Sequence, residues 1–289
     1  MDASALLKKV RLIELKFKSI SRNILSGEYH SAFRGLGMSF REVRSYQYGD
    51  DIRHVDWNVT ARAREPFVKV FEEEREQVLM FLMDVSASTL FGSGEQRKSE
   101  LMTEICAMLA FSAIQHNDKV GVILFSDKIE QFIPPRKGRF HVFRIIHQLL
   151  TYRGESTGTS ISEALTYLTR VLKKKAICFV ISDFQSTGYE LALKIASAKH
   201  DIIGIRISDP REASLPRIGL MHIRDPETGC RGWMDTLDPA SASAYVEKYR
   251  RNSADFQRIF RKYNTGMIEV SIGQPYVGAL CHFFRKRTP

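Results

Sequence analysis

Asp84, Ser86 and Ser88 alternate with Val85 and Ala87 in the string V-L-M-F-L-M-D-V-S-A-S at residues 78–88. In extended backbone, alternate side chains share a side, so this spacing gathers one carboxylate and two hydroxyls. Hard oxygens of that kind suit a hard cation, Mg²⁺ or Mn²⁺. Because hydroxyls are neutral, a cation held by them and a few carboxylates is not over-neutralised and keeps affinity for a carboxylate from a partner. A D-x-S-x-S string is short enough to arise by chance, so this reading requires oxygens from later loops. Two are present: Thr159 stands in G-T-S-I-S-E-A-L at residues 158–165, just before a helical pattern, and Asp183 ends the apolar run A-I-C-F-V-I-S-D at 176–183. The competing roles are structural, with Ser86 or Thr159 capping a helix and Asp183 accepting loop amide hydrogen bonds.

The flanking patterns show what positions these oxygens. Residues 78–83 are six consecutive apolar residues without polar alternation, which predicts a strand buried on both faces of a parallel sheet. Its carboxyl end, where Asp84 begins the polar string, is where open α/β sheets bind ligands. Taken together, the three strings resemble the von Willebrand factor type A domain and its metal-ion-dependent adhesion site. The resemblance implies Asp84, Ser86 and Ser88 as the first motif, Thr159 as the threonine and Asp183 as the last aspartate around one Mg²⁺ or Mn²⁺. One departure is Phe184, which follows Asp183 where many such domains have glycine.

Downstream of Ser88, the loop F-G-S-G at 91–94 leads into a predicted helix over 96–116 and strands over 119–125 and 129–133. The second is expected at a sheet edge, stopped by Pro134 and Pro135. Phe140, Phe143, Ile146 and Leu150 mark a helix by their spacing, and another follows Thr159. Strands over 176–182, 202–207 and 267–272 are expected, with helices over 191–199 and 242–263 and loop with hairpin over 209–236. This βαβα order implies an α/β fold with a doubly wound, mostly parallel sheet, Rossmann-like in class. Upstream, 6–24 reads as an amphipathic helix, and 38–48, 52–57 and 66–71 read as β-like pieces around a turn at 49–51. The expected organisation is a helical and β-rich N-terminal extension over 1–77, followed by a type A-like domain with C-terminal helices over 78–289.

The extension carries a second resemblance. Its string G-L-G-M-S-F-R-E-V-R-S-Y-Q-Y-G-D-D-I-R-H-V-D-W-N-V-T-A-R at 35–62 is similar to the bacterial domain-of-unknown-function family fifty-eight. The similarity runs from about residue 25 through the C-terminal helix. Members are typically encoded beside MoxR-type AAA+ ATPases, which implies such an ATPase as partner and a chaperone-like role in remodelling, complex assembly or metal-cofactor insertion. Many relatives have N-terminal membrane helices, and none is expected from the apolar runs of this sequence. Read from the residues alone, Asp50, Asp51, Arg53, Asp56, Trp57 and Arg62 describe a hairpin locked by ion pairs.

Composition narrows the function classes. With 289 residues, 44% of them hydrophobic, the chain can bury a full core and has room for an added subdomain. Its apolar runs fall far short of the ~20 residues that span a bilayer. The N-terminus M-D-A-S-A-L-L-K-K-V lacks the apolar core of a signal peptide, so a cytoplasmic location is expected. Cys106, Cys178, Cys230 and Cys281 form no C-x-x-C pair and are expected to be reduced and structural. A net charge of +10 favours an acidic partner. The basic clusters are small and not interleaved with aromatics, which leaves a nucleic-acid-binding module as an alternative carried by charge alone. A serine hydrolase is the other alternative, because G-E-S-T-G at 154–158 matches the G-x-S-x-G elbow, with Asp183 and His200 or His222 following Ser156. An elbow requires a strand running into the serine, whereas 140–150 is spaced as a helix. No phosphate-cradling G-x-x-x-x-G-K-[ST] loop is present. The expected function is a metal-dependent protein-binding adaptor, not an enzyme, without a small-molecule substrate.

Overall fold

In the computed structural model of the chain, residue 12 and residues 37–63, 65–74, 77–94 and 96–287 are described, and elements are numbered over these. The chain divides into the unit Phe33–Glu76 and a larger unit that contains Gln77–Pro289. The helix expected over 6–24 lies outside the described residues, apart from the helical Leu12.

In the smaller unit, β1 (Gly37–Ser45) runs antiparallel to β2 (Phe67–Glu74), with a bulge between Phe40 and Glu42. A 3-10 turn at Ile52–His54 and helix α1 (Trp57–Ala63) connect them. This corrects the β-like reading of 52–57. The Asp51 side chain accepts from Arg53 N, and Asp56 Oδ1 accepts from Asn58 N and Val59 N. These local side-chain bonds offer the backbone a cap in place of a ladder and wind it into turn and helix. Arg44 donates to both oxygens of Asp50 at 2.8 and 2.7 Å, fastening the turn that follows β1 with a bidentate ion pair.

The larger unit runs β3 (Val78–Asp84), α2 (Lys98–Gln115), β4 (Lys119–Phe125), β5 (Ile129–Arg136), α3 (Arg139–Thr151), α4 (Ile161–Val171), β6 (Ile177–Ser182), α5 (Glu190–Lys199) and β7 (Asp201–Ser208). Then follow the short α6 (Pro210–Ala213), the hairpin of β8 (Leu220–Arg224) and β9 (Arg231–Asp235), α7 (Pro239–Lys262), β10 (Gly266–Ser271) and α8 (Tyr276–Arg287). Six strands form one sheet in the order β10-β7-β6-β3-β4-β5, parallel except for β5. From β3 the chain moves out to β4 on one side and later returns to β6 on the other, so the strand order reverses at β3. The crevice of such a sheet opens at the carboxyl end of that strand.

Burial on both faces explains the unbroken apolar run of β3. Met80 and Leu82 pack with Ile123, Val180, α4, α5 and α7 on one face. On the other face Phe81 stacks on Phe179 with ring centroids 5.5 Å apart. Helices α2, α3 and α8 cover that side, where Tyr276 of α8 donates to Glu104 of α2 and Phe111 meets Phe143. The layers are helix, sheet, helix. Among the described residues no helix is long and apolar enough to cross a membrane.

Two expectations at element ends are corrected. Pro134 and Pro135 do not stop β5, which continues to Arg136. As an edge strand it needs donors on one side only, and its ladder with β4 steps from Val122↔Ile133 to Val120↔Arg136 past the prolines. Gly121 opposite makes room, since a Cβ there would lie 2.9 Å from Pro135 N and Ile133 O. Residues 210–213, expected as loop, form the short α6, and the helix expected over 242–263 starts at Pro239; Asp209 and Asp238 cap these two helices, with proline in the first turn of each.

Gly204, mid-strand in β7, is a tight point of the core. An added Cβ would meet Phe260 Cε1 at 2.4 Å and Phe256 Cε2 at 2.9 Å. Gly204→Ala is expected to lower stability by about 1–3 kcal/mol through overpacking, read as a lower guanidinium midpoint at unchanged m-value. An unchanged midpoint would contradict this packing.

Candidate metal centre

Strands β3 and β6 are paired neighbours, and each delivers a carboxylate to the same crevice: Asp84 ends β3, and Asp183 follows the last residue of β6. Both are buried. Asp84 Oδ1 accepts from Ser86 N at 2.9 Å, and its Oδ2 accepts from Ser182 Oγ at 2.6 Å. Ser86 Oγ and Ser88 Oγ lie 3.1 Å apart, so the alternating hydroxyls share one side. Ser86 precedes a 3-10 turn at Ala87–Leu90 but makes no side-chain cap to it. The helix after Thr159 is capped by Ser160, which accepts from Glu163 N at 3.3 Å. The capping roles are therefore not those of Ser86 or Thr159, although Asp183 Oδ1 does take a long 3.3 Å bond from the loop amide of Gln185.

The residue that sequence reasoning missed is Lys98, at the start of α2. Its ammonium is fully buried and donates to Asp183 Oδ2 at 2.9 Å and Glu212 Oε1 at 2.7 Å. Burial alone would lower the pKa of this amine, but Asp183 and Glu212 outweigh it and hold it above its usual value. Glu212 closes a capping box with Asp209, whose carboxylate also accepts from Ser93 N and Ser93 Oγ. The sequence signal for Glu212 was the D-P-R-E string, a capping box read as loop. Ser182 was visible as the residue before Asp183. Lys98 carried no motif.

Thr159 is placed differently from the other four predicted ligands. The Ala87 N to Thr157 O bond of 3.3 Å and the Ser160 N to Ser126 O bond of 2.7 Å bring its loop beside the ends of β3 and β4. Its hydroxyl, however, donates to Glu227 Oε1 at 2.7 Å. Phe184 resolves the departure at the third loop. It adopts a left-handed φ of 55°, costing roughly 1–2 kcal/mol for a residue with a Cβ, and its buried ring packs on Phe256 at 4.5 Å and Phe260 at 5.4 Å. Core packing offsets the strain that glycine would avoid.

The donor set and its charge fit a divalent cation. Asp84, Asp183 and Glu212 bring three carboxylates against one ammonium, an excess of two negative charges when all are ionised. Burial pushes the Asp84 carboxyl up to about 7, Asp183 adding to the rise while bonds from Ser182 and Ser86 oppose it. Among the described residues no group of three or more His, Cys, Asp and Glu has the form of a metal site. A site here would rest on hydroxyls as much as on carboxylates. Beside the first loop, a cavity of about 330 Å³ is lined by Met83, Asp84, Leu90, Met102 and Leu149 among others. Val85, Ala87 and Thr89 also line it, whereas Ser86, Ser88, Thr159 and Asp183 do not.

The nucleophile-elbow geometry is not formed. Ser156 lies in the loop between α3 and α4, with its amide donating to Glu130 Oε1 at 3.2 Å, and no strand runs into it. His200 precedes β7, at the amino end of the sheet, and exposed His222 stacks edge-on against Trp233 on the hairpin.

A helix-sheet-helix sandwich whose strand order reverses beside an Asp-x-Ser-x-Ser loop is a von Willebrand factor type A-like fold. Within that class, residues 42–255 match the model of the family described as Protein of unknown function DUF58, and the chain belongs to it. An uncharacterized protein of Mycobacterium tuberculosis is 26% identical over 290 residues, covering 99% of this chain and 91% of that protein. An uncharacterized protein in the moxR 3' region of Paracoccus denitrificans is 29% identical over 100 residues, covering 34% of this chain and 94% of that protein. Among solved structures, an aerotolerance-related membrane protein from Bacteroides fragilis is similar with a TM-score of 0.51 and 19% identity, covering 73% of this chain and 99% of that one. This neighbour corrects the cytoplasmic location expected from the N-terminal residues. The same fold serves in a membrane protein, and a soluble-looking sequence is no ground for placing the chain in the cytoplasm.

Asp84 makes stability depend on pH with a definite sign. A carboxyl raised from 3.8 to about 7 on folding contributes stability that is full below 3.8 and is lost as pH rises through about 7. In chelator, Asp84→Asn is expected to gain on the parent between pH 4 and pH 8, by up to about 4 kcal/mol. Urea unfolding across that range reads the difference, and parallel stability curves would contradict the raised value.

Proposed function

We propose that this protein is a metal-dependent protein-binding adaptor whose centre accepts an acidic side chain from a partner. The observation that carries the reading is the meeting of Asp84, Ser86, Ser88 and Asp183 at the carboxyl ends of β3 and β6, with negative charge in excess of Lys98. Asp84, Ser86 and Ser88 would hold Mg²⁺ or Mn²⁺, with Thr159 and Asp183 completing the set. A bound divalent cation would supply positive charge at an open position. The neutral hydroxyls keep that charge from being cancelled, which favours a glutamate or aspartate brought by a partner. The net charge of +10 would steer such a partner in.

The partner we propose is a MoxR-type AAA+ ATPase, with this chain linking it to a client for remodelling or complex assembly. Support comes from the Paracoccus denitrificans relative in the moxR 3' region. Binding rather than catalysis is favoured because Ser156 lacks a strand before it and its backbone amide is held by Glu130.

Titration calorimetry with Mg²⁺ and with Mn²⁺ tests the metal step. The parent is expected to bind one cation, and Asp84→Ala to lose binding while its circular dichroism is unchanged. Equal binding by the variant would place the cation elsewhere.

A further inference from the structure

The hairpin of β8 and β9 is inserted between α6 and α7, and nothing in its sequence marks it as part of the site. Its tip is built to project one side chain. Asp225 Oδ1 accepts from Glu227 N at 2.9 Å and Thr228 N at 3.4 Å, Gly229 N returns to Asp225 O at 2.9 Å, and Gly229 takes a φ of 72° that suits glycine. The carboxylate of Asp225 is consumed by this turn. That of Glu227 is sent outward, reaching Thr159 Oγ1 at 2.7 Å across 68 residues of sequence. Asp225, Pro226, Thr228 and Gly229 are exposed, whereas Glu227 is half-buried. The base of the hairpin is pinned by Thr236, whose hydroxyl donates to Gly219 O at 2.8 Å and accepts from the amides of Ile218 and Gly219 at 3.0 Å. A pinned base and a self-bonded tip limit where Glu227 can go.

Thr159 is the one predicted ligand whose hydroxyl is taken by a carboxylate from outside the three loops. We infer that Glu227 is the resident occupant of the acid-accepting position. It is an internal copy of the acidic side chain that a partner would bring, so that partner and hairpin tip exclude one another. The inference rests on the acid-receptor reading above and adds to it a competitor. A single hydrogen-bonded glutamate on a two-stranded hairpin can be displaced, and the exposed Leu220 and Trp233 on the hairpin strands give a partner something to grip while it does so. A ligand that binds only the displaced state sees its affinity reduced by the fraction of molecules in that state.

The test uses the full chain in Mg²⁺ and a fluorescein-labelled Gly-Ser-Glu-Ser-Gly peptide, with the glutamine version of the peptide as control. Fluorescence anisotropy compares the parent with Glu227→Ala and Glu227→Gln, after unfolding curves show that both variants fold. If the tip holds the position nine-tenths of the time, Glu227→Ala binds the glutamate peptide about tenfold tighter than the parent. Glu227→Gln, which keeps a hydrogen-bond acceptor but no charge, should fall between them, and the glutamine peptide should distinguish none of the three. Faster amide hydrogen exchange at 225–230 in Glu227→Ala would accompany the gain. Saturable, glutamate-dependent binding of equal affinity in all three proteins would overturn the resident-occupant inference and leave the acid receptor standing. Failure of all three to bind the glutamate peptide would overturn both.

Discussion

A fully buried lysine ammonium governs the architecture of this centre. Removing a cation from water costs several kcal/mol unless partners and geometry compensate, and Lys98 is compensated by Asp183 and Glu212 at ordinary hydrogen-bond lengths. Those partners come from distant parts of the chain, one after β6 and the other on α6, while Lys98 itself opens α2. Glu212 is in turn fixed by the capping box with Asp209, and Asp209 holds Ser93 in the loop before α2. Around one charge, the loops after β3, β6 and β7 are drawn into a single arrangement. Asp84 is close enough to Asp183 for their charges to interact, and burial together with that neighbour raises its carboxyl to about 7.

That arrangement gives the centre two properties at once. It holds Asp183 in place, because displacing that residue would leave a buried ammonium with one of its two partners. It is also short of positive charge once Asp84 ionises, because one lysine cannot then balance Asp84, Asp183 and Glu212 together. On the proposed reading, such an electronegative, hydroxyl-bearing centre would hold a cation loosely enough that an outside carboxylate completes its surroundings. In the described structure the carboxylate at Thr159 belongs to Glu227 of the chain itself.

The layout of the sheet was legible in the sequence because its signals were local. The apolar runs of β3, β4 and β6 sit in the structure within a residue of where periodicity placed them. That Asp84, Ser86, Ser88 and Asp183 lie at neighbouring strand ends was legible because strand ends fix where their side chains emerge. Lys98 could not, since a lysine at a helix start is ordinarily solvated and only the fold brings Asp183 and Glu212 to it. Glu227 was hidden for the same reason, with 68 residues separating it from Thr159. The errors at Pro134, Pro135 and residues 52–57 were of another kind. There, edge position and aspartate capping overrode propensity, and neither is visible before the strand order and cap bonds are known.

The proposal that a divalent cation makes up the charge Lys98 leaves unbalanced is tested by guanidinium unfolding of Lys98→Met beside the parent, each in chelator and in Mg²⁺. The variant in chelator is expected to be less stable by about 3–5 kcal/mol, the cost of leaving buried carboxylates without their partner. Mg²⁺ is expected to restore more stability to the variant than it adds to the parent. A variant as stable as the parent in chelator, or one indifferent to Mg²⁺, would contradict the proposal.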